Sequence, residues 1–355
     1  MPLTTVAVVS CTTSTIADYN KGMELTTVAD DEAVVHDGFE VRRYEGLEPD
    51  RVYELDGFAF RTLARPRGEH LCTFATVNDV HFGEVECGII AGMDIGPTFA
   101  VAEGEEPYPL TMSRAAVAEI NAIDPVALLV KGDLTSRGTV EEYQQFLDTY
   151  AGFGERMHHI RGNHESYNFS PFATDPHLVI DLPGVRLVMI DTSLDGKASG
   201  GVPSATLSWL QDETAAIDRP VLLFGHHHVW NPESANRPGN YFGINPDDSE
   251  HLVEVVGARP AIRGYFAGHT HRNRVRRFGL TRDVPWVEVA SVKEFPGSWA
   301  EYRVFEGGIL QIHRRISSPE ALAWTEQTRH LYAGTYFDYS FGDLSDRCFA
   351  ISTAP

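Results

Sequence analysis

Cysteine is scarce in this chain of 355 residues. Cys11, Cys72, Cys87 and Cys348 are the whole complement, and no two of them stand in a CxxC spacing. A chain of this length needs no disulfide staples, so four free thiols are expected. Basic residues are also few. Lys and Arg total 29 against 50 Asp and Glu, a net charge of −21, so the surrounding field repels phosphate backbones and anionic membranes. General nucleic-acid binding is thereby disfavoured. No run approaches the about 20 consecutive apolar residues that span a bilayer. Residues 1–10 lack Lys or Arg ahead of a short apolar run, so no secretory leader is expected and the protein reads as soluble and cytoplasmic. What is present is ordinary globular material, 43% hydrophobic and 22% charged, sufficient for a full core. At about 150 residues per domain, the length predicts about two domains.

The first 65 or so residues carry short β-type runs at 4–9, 24–29, 39–44 and 52–63, parted by Gly, Asp and Pro, with no helical period. Leu47-Glu48-Pro49-Asp50-Arg51-Val52-Tyr53 has the spacing of a tyrosine corner, in which a Tyr hydroxyl bonds back to the chain upstream. In this the segment resembles a fibronectin type III module. From Leu71 onward the texture changes. Buried-type strands at 72–77, 127–130, 157–160, 186–190, 221–224 and 263–267 alternate with amphipathic helices at 113–123, 140–153 and 204–217, the pattern of a layered α/β core. Thr139, three residues before Glu142, is placed to cap the second helix. Runs at 286–291 and 302–316, the latter broken by Gly307-Gly308, predict a hairpin that completes the sheet. The Gly-rich, acidic stretch 82–109 reads as a long functional loop. The tail from Ser318 reads as a helix to about Tyr332, then an aromatic-rich irregular segment through Phe349. The expected division is a small β-sandwich-like domain over 1–67, an α/β domain over 68–316, and a tail over 317–355 packed on it.

Polar clusters stand at the ends of the strands: Asp79-Val80-His81, Gly132-Asp133, Gly162-Asn163-His164-Glu165, Gly225-His226 and Gly268-His269-Thr270-His271. In an α/β sheet, groups distant in sequence converge outside the carboxyl ends of the strands. A Gly beside a candidate ligand lets the backbone turn sharply at a strand end. The i, i+2 spacing of Asp79 with His81, and of His269 with His271, directs two side chains to one side of an extended chain. Imidazoles, carboxylates and one amide suit borderline divalent ions such as Mn, Fe, Zn or Co, and make a poor cage for calcium.

The order DxH, GD, GNH(D/E), H, GHxH resembles the calcineurin-like metallophosphoesterase superfamily, over about residues 71–316. Within it the chain looks most like the class III cyclic-nucleotide phosphodiesterases. The resemblance implies a four-layer α/β/β/α sandwich, preceded here by the small all-β segment, an arrangement similar to purple acid phosphatases. It also implies two divalent metal ions per chain, Mn, Fe or Zn. Asp79, His81 and His271 would hold the first, Asn163, His226 and His269 the second, and Asp133 would bridge them. Two such ions can clamp a phosphate ester and lower the pKa of a bridging water, whose hydroxide attacks in line with the leaving group. His164, beside a ligand but not one by the family pattern, would stabilise phosphoryl oxygens or protonate the leaving alkoxide.

Other polar residues carry two readings each. His227 and His228 are candidates for substrate contact or for packing, and Arg137 for phosphate binding or for an ion pair at a helix start. His158-His159 read as structural, and Arg272, Arg274, Arg276 and Arg277 as a solvated strand face. The acidic loop with Glu84, Glu86 and Asp94, and the tail with Tyr332, Tyr336, Phe337 and Tyr339, are candidates to wall the pocket. The favoured activity is hydrolysis of a small phosphodiester, with 3′,5′-cyclic nucleotides first. Alternatives are a phosphomonoesterase acting on a metabolite or phosphoprotein, and a non-catalytic scaffold of the same fold. The purple colour of the phosphatases so named needs a Tyr ligand three residues after the bridging Asp, where this chain has Ser136. The iron-loaded protein is therefore predicted to show no visible tyrosinate-to-iron charge-transfer band; an absorption spectrum after iron loading checks this.

Overall fold

In the computed structural model, which describes residues 22–90, 93–282 and 284–353, two mixed six-stranded sheets lie face to face. The first has the spatial order Met157–Ile160, Leu128–Lys131, His70–Val77, Ser298–Phe305, Gly308–Arg315, Phe349–Ser352; its first three strands are parallel and the others join antiparallel. The second has the order His177–Leu182, Val185–Ile190, Val221–Phe224, Ile262–Ala267, Trp286–Glu288, Arg274–Arg276, parallel within and antiparallel at both edges. Covered on both faces, the central strands are apolar almost throughout. In Val221–Phe224, Leu222 and Phe224 enter the core between the sheets, while Val221 and Leu223 pack under helices. Leu129 faces the same inter-sheet core, and its neighbours Leu128 and Val130 face the opposite way. Phe74 stacks on Tyr302 with ring centroids 4.6 Å apart, and Phe224 meets both rings edge-on at 6.2 Å.

Helices Tyr108–Ala122, Val140–Tyr150 and Pro319–Thr328 cover the outer face of the first sheet, and Ser204–Glu213 with Pro246–Ala258 cover the second. The result is the four-layer α/β/β/α arrangement expected. Thr139 caps its helix, its hydroxyl accepting from the Glu142 N–H at 3.2 Å. The Glu142 carboxylate does not return to the cap; it accepts from the Arg137 N–H and Nε instead. That helix ends at Tyr150, short of 153, because 151–156 tighten into a 3₁₀ turn with Gly154 at φ 54°.

The tail departs from its expected form. The helix stops at Thr328, and Tyr332 and Ala333 follow with φ of 53° and 56°, a left-handed backbone that no α-helix continues through. Two short helices, Tyr336–Ser340 and Leu344–Arg347, lead to Phe349–Ser352, which is an edge strand of the first sheet rather than irregular chain. Strands Glu32–Asp37 and His177–Leu182 and the helix Pro246–Ala258 were not anticipated. The last opens on Pro-Asp-Asp-Ser, residues that read as a turn until Asn245 is seen accepting from the Asp248 N–H as a helix cap.

Ahead of the two large sheets stand small antiparallel ones. Met23–Val28, Glu32–Asp37 and Glu40–Glu45 form a three-stranded sheet. The run at 52–63 is two strands, Val52–Leu55 and Phe58–Arg61, folded about Asp56-Gly57 with φ of 51° and 79°, as an Asp-Gly hairpin turn requires. The Tyr53 hydroxyl accepts from the Glu48 N–H at 2.8 Å, the upstream bond of a tyrosine corner. The run at 4–9 and Cys11 lie outside the described residues. Cys72, Cys87 and Cys348 are buried free thiols. Among the described residues no helix is long and apolar enough to cross a membrane.

Buried polar contacts bind the small sheet to the large one. Thr27 Oγ1 donates to the His313 carbonyl at 2.7 Å, and Arg347 donates to the carbonyls of Leu25 and Thr26. Glu24 lies between Arg329 and Arg315, 2.8 Å from the latter, whose fully buried guanidinium also meets Glu326 at 2.8 Å. Removing one member of such a cluster leaves buried charge without its counterpart, at a cost of about 3–5 kcal/mol. Glu24→Ala is expected to lower the unfolding free energy by that order, measured by urea denaturation.

Candidate metal centre

The polar clusters do converge, at the ends of strands His70–Val77, Leu128–Lys131, Met157–Ile160, Val221–Phe224 and Ile262–Ala267. Donor atoms of Asp79, His81, Asp133 and His271 lie within 4.8 Å of one another, and those of His226, His227 and His269 form an adjoining group. Asp133 Oδ2 stands at the middle, with Nε2 of His226 at 3.3 Å, of His81 at 3.5 Å and of His164 at 4.0 Å. Asn163 Oδ1 is 3.0 Å from His226 Nε2, and His271 Nε2 is 3.3 Å from Asp79 Oδ1.

The backbone that achieves this is not extended. Asp79, His81, Asp133, His269 and His271 have φ of 53°, 46°, 49°, 68° and 54°. Each lies in the left-handed region that non-glycine residues avoid, and such strain persists where the surroundings over-determine it. The i, i+2 pairs therefore meet through turns past the strand ends, not through strand alternation as the spacing suggested. The glycines also act differently from expectation. Gly132 has φ 82° and does turn the chain. Gly162 has a negative φ; its role is close approach, since a Cβ there would stand 2.2 Å from Asp133 Oδ1.

Each imidazole is oriented from behind. His226 Nδ1 donates to the Lys131 carbonyl at 2.9 Å and His269 Nε2 to the Phe242 carbonyl at 2.8 Å. Carboxylates back the other two: His271 Nδ1 lies 2.5 Å from Glu294 Oε1, and His81 Nδ1 lies 3.1 Å from Glu84 Oε2. Lys293 joins those carboxylates, with Nζ 2.6 Å from both Glu84 oxygens and 3.1 Å from Glu294 Oε2. Tyr336 Oη and Ser291 Oγ donate to Glu294 Oε1, the oxygen that faces His271, each at 2.8 Å. Such outer partners fix tautomer and aim. Sequence reasoning places Glu84 only in an acidic loop and has no signal for Lys293-Glu294, which follow a strand without a motif. Glu165 is structural, accepting from Thr135 N and Oγ1 and from Gly162 N at 2.8, 2.6 and 2.7 Å, so that it pins two donor-bearing turns together.

Of the remaining predicted residues, His164 projects into the cavity with Nδ1 bonded to the Ser136 carbonyl at 2.7 Å. His227 is near the second group, but both its ring nitrogens are engaged, by Thr192 Oγ1 at 2.9 Å and the Ala198 carbonyl at 3.3 Å. His228 is buried against Tyr241. Neither lines the cavity, whereas Arg137 does, with its Nε held by Glu142. His159 bonds Tyr143 Oη at 2.7 Å. Arg272 and Arg276 pair with buried Glu288 and are not a solvated face. Glu84, Glu86, Tyr332, Tyr336 and Tyr339 wall the cavity of about 830 Å³; Asp94 does not, and Phe337 packs in the core.

Burial alone pushes an imidazole's pKa down, and His81 falls to about 4 for that reason, aided by Lys293. In His226 and His271 burial is outweighed: Asp133 raises the first to about 9, and Glu294 with Asp79 raises the second to about 10. Burial would raise Asp79, but His271 holds it below the usual carboxylate range. The site thus concentrates negative charge on two oxygen donors and places lone-pair nitrogens around them.

The family of calcineurin-like phosphoesterases matches residues 72–273. Over 176 residues the chain is 30% identical to the probable glycerophosphodiester phosphodiesterase GpdQ of Arcobacter nitrofigilis, covering 44% of this chain and 61% of that protein. Over 218 residues it is 26% identical to a probable cyclic nucleotide phosphodiesterase of Synechococcus, covering 58% and 83%. The chain thus spans about three-fifths of the first relative's length. A dimetal phosphatase from Danio rerio superposes with a TM-score of 0.56 at 14% identity, covering 81% of this chain and all of that one, a likeness of fold.

A cation must displace the protons of His226 and His271, so uptake is expected to strengthen as pH rises toward about 9–10 and to release protons. Equilibrium dialysis against Mn²⁺ between pH 6 and pH 9 measures the trend; affinity independent of pH would contradict it.

Proposed function

We propose, from the premise that the chain belongs to the calcineurin-like phosphoesterase family, that it is a two-metal hydrolase of small phosphodiesters, with 3′,5′-cyclic nucleotides the first candidates. Asp79, His81 and His271 would hold one ion, Asn163, His226 and His269 the other, and Asp133 would be shared between them. The residues fit Mn, Fe or Zn. Two buried carboxylates, four imidazoles and an amide oxygen form a mixed N/O set, and the buried His81 Nε2, which faces Asp133, has no hydrogen-bond partner. When bound, such ions supply Lewis-acid polarisation of the phosphoryl group and activation of water.

The chain's own residues orient and protonate. In hydrolysis a water oxygen joins phosphorus, the bond to one ester oxygen breaks, and that oxygen departs as an alcohol carrying a proton. His164 is the group that gives the proton or steadies the phosphoryl oxygens. The observation that carries this role is its geometry: the Ser136 carbonyl fixes Nδ1, leaving Nε2 over Asp133 at the cavity floor. Asn168 Nδ2 holds the carbonyl of the same residue at 2.7 Å.

Charge supports a diester. Among the described lining residues the permanent cations are Arg137, whose Nε is spent on Glu142, and Lys293, which Glu84 and Glu294 neutralise. A monoester's second charge finds little to receive it there. The domain division at about residues 67 and 316 belongs to the same reading; it is supported by the first large-sheet strand starting at His70 and the hairpin ending at Arg315.

Under one manganese condition, kcat/KM is expected to be higher for cyclic AMP and bis-nitrophenyl phosphate than for nitrophenyl phosphate; a clear preference for the monoester overturns the diester assignment. His164→Ala is expected to keep two metals per chain by elemental analysis and to lose about 10²–10⁴ in kcat. The loss should shrink for a nitrophenyl leaving group, which needs no proton.

A further inference from the structure

The cavity above the donors has an apolar side. Val85, Ile89 and Ile90, from the segment after His81, line one wall, and Phe242 and Tyr339 line another. These are among the most exposed large hydrophobic side chains of the described residues: Val85 is 70% exposed, Ile89 63%, Phe242 57%, Tyr339 45% and Ile90 40%. Scattered surface apolar residues need no explanation, but several gathered in one concave site mark a place that a ligand covers.

The aromatic wall is held rigid. Phe242 stacks on the His269 ring at 4.0 Å between centroids, and its carbonyl fixes His269 Nε2. Tyr339 donates its hydroxyl to the Thr270 carbonyl at 3.0 Å and carries the Arg272 guanidinium 5.1 Å from its ring. Two rings are thus anchored to the His269-Thr270-His271 turn that also presents metal donors. A group on those rings is at a fixed distance from the reacting phosphorus, and no reorganisation is needed to bind it. The five side chains of these walls are themselves uncharged, and of the cations elsewhere in the lining Lys293 is neutralised by Glu84 and Glu294 while Arg137 gives its Nε to Glu142. The wall is therefore suited to an ester group that is apolar and uncharged.

We propose that these two walls together form an ester-group subsite: they bind the bulky, apolar, uncharged ester group, aryl or alkyl, that stays on phosphorus when the other leaves, in a phosphodiester whose phosphate rests on the donor cluster. The inference rests on the phosphodiester reading above. The occupant is identified by continuity, because Ile89 and Phe242 line the same cavity as Asp133, His164 and His271.

The test uses manganese-loaded full-length protein and alkyl 4-nitrophenyl phosphates from methyl to hexyl. At the usual transfer cost of a methylene, kcat/KM should climb about two- to fourfold per added CH₂. A flat series overturns the subsite and leaves the diesterase reading standing. Val85→Ser combined with Ile89→Ser should lower the hexyl-to-methyl ratio at least fivefold, a ratio taken within each variant and so insensitive to lost chemistry. If no ester in the series is hydrolysed, the diesterase reading fails. The subsite is then judged by titration calorimetry with hexyl methylphosphonate against methyl methylphosphonate, where tenfold tighter hexyl binding supports it and equal binding overturns it. A stable dimer by light scattering that the same double substitution dissociates assigns the wall to a second copy and overturns the proposal.

Discussion

One carboxylate oxygen governs the architecture of the site. Asp133 Oδ2 has three imidazole nitrogens around it, while Oδ1 accepts from the His164 N–H at 3.0 Å. A buried carboxylate so placed needs positive charge or strong donors nearby, or it takes up a proton instead. Burial would raise Asp133, yet His226 and His164 hold it well below the usual range. The left-handed turn at Gly132-Asp133, the bare Cα of Gly162 and the pinning of both turns by Glu165 all serve to put that oxygen in its place.

The two donor groups differ in what stands behind them. Carboxylates linked by Lys293 back His81 and His271, whereas main-chain carbonyls back His226 and His269. Burial works against charge on all three members of the Glu84, Lys293 and Glu294 group. Mutual attraction prevails, holding the two carboxyls low and the amine high. This group also ties three distant segments to the centre. Glu84 belongs to the segment after His81, Glu294 follows the second sheet, and Tyr336 brings the tail onto Glu294. The tail is consequently part of the site's wall as well as an edge of the first sheet.

The layers outside the site supply rigidity. Rings that meet edge-on across the two sheets, Phe74 with Phe224 and Phe266 with Tyr302, pack strands that carry the donors against one another. Buried Arg315 and Arg347 fasten the N-terminal sheet to the strand Gly308–Arg315 and to the tail, so the small sheets brace the large one at its edge. Strain in five donor residues is tolerable because these surroundings cannot relax around it.

The α/β layers, the helix cap at Thr139, the tyrosine corner and the convergence of the polar clusters were legible in the sequence. Strand ends and Gly-flanked clusters are local features, and their chain order is itself a pattern. The conformation of the donor turns was not legible, because spacing alone does not separate an extended pair from one closed by left-handed residues. Nor were the strand Phe349–Ser352, the Lys293 group or the retirement of His227 behind Thr192 and Ala198. Each depends on which distant segment arrives alongside. The sequence by itself determined which atoms are able to bind a cation. Only the tertiary structure decided which nitrogens face Asp133 and which are spent on outer partners, because that choice is made by acceptors supplied from elsewhere in the chain.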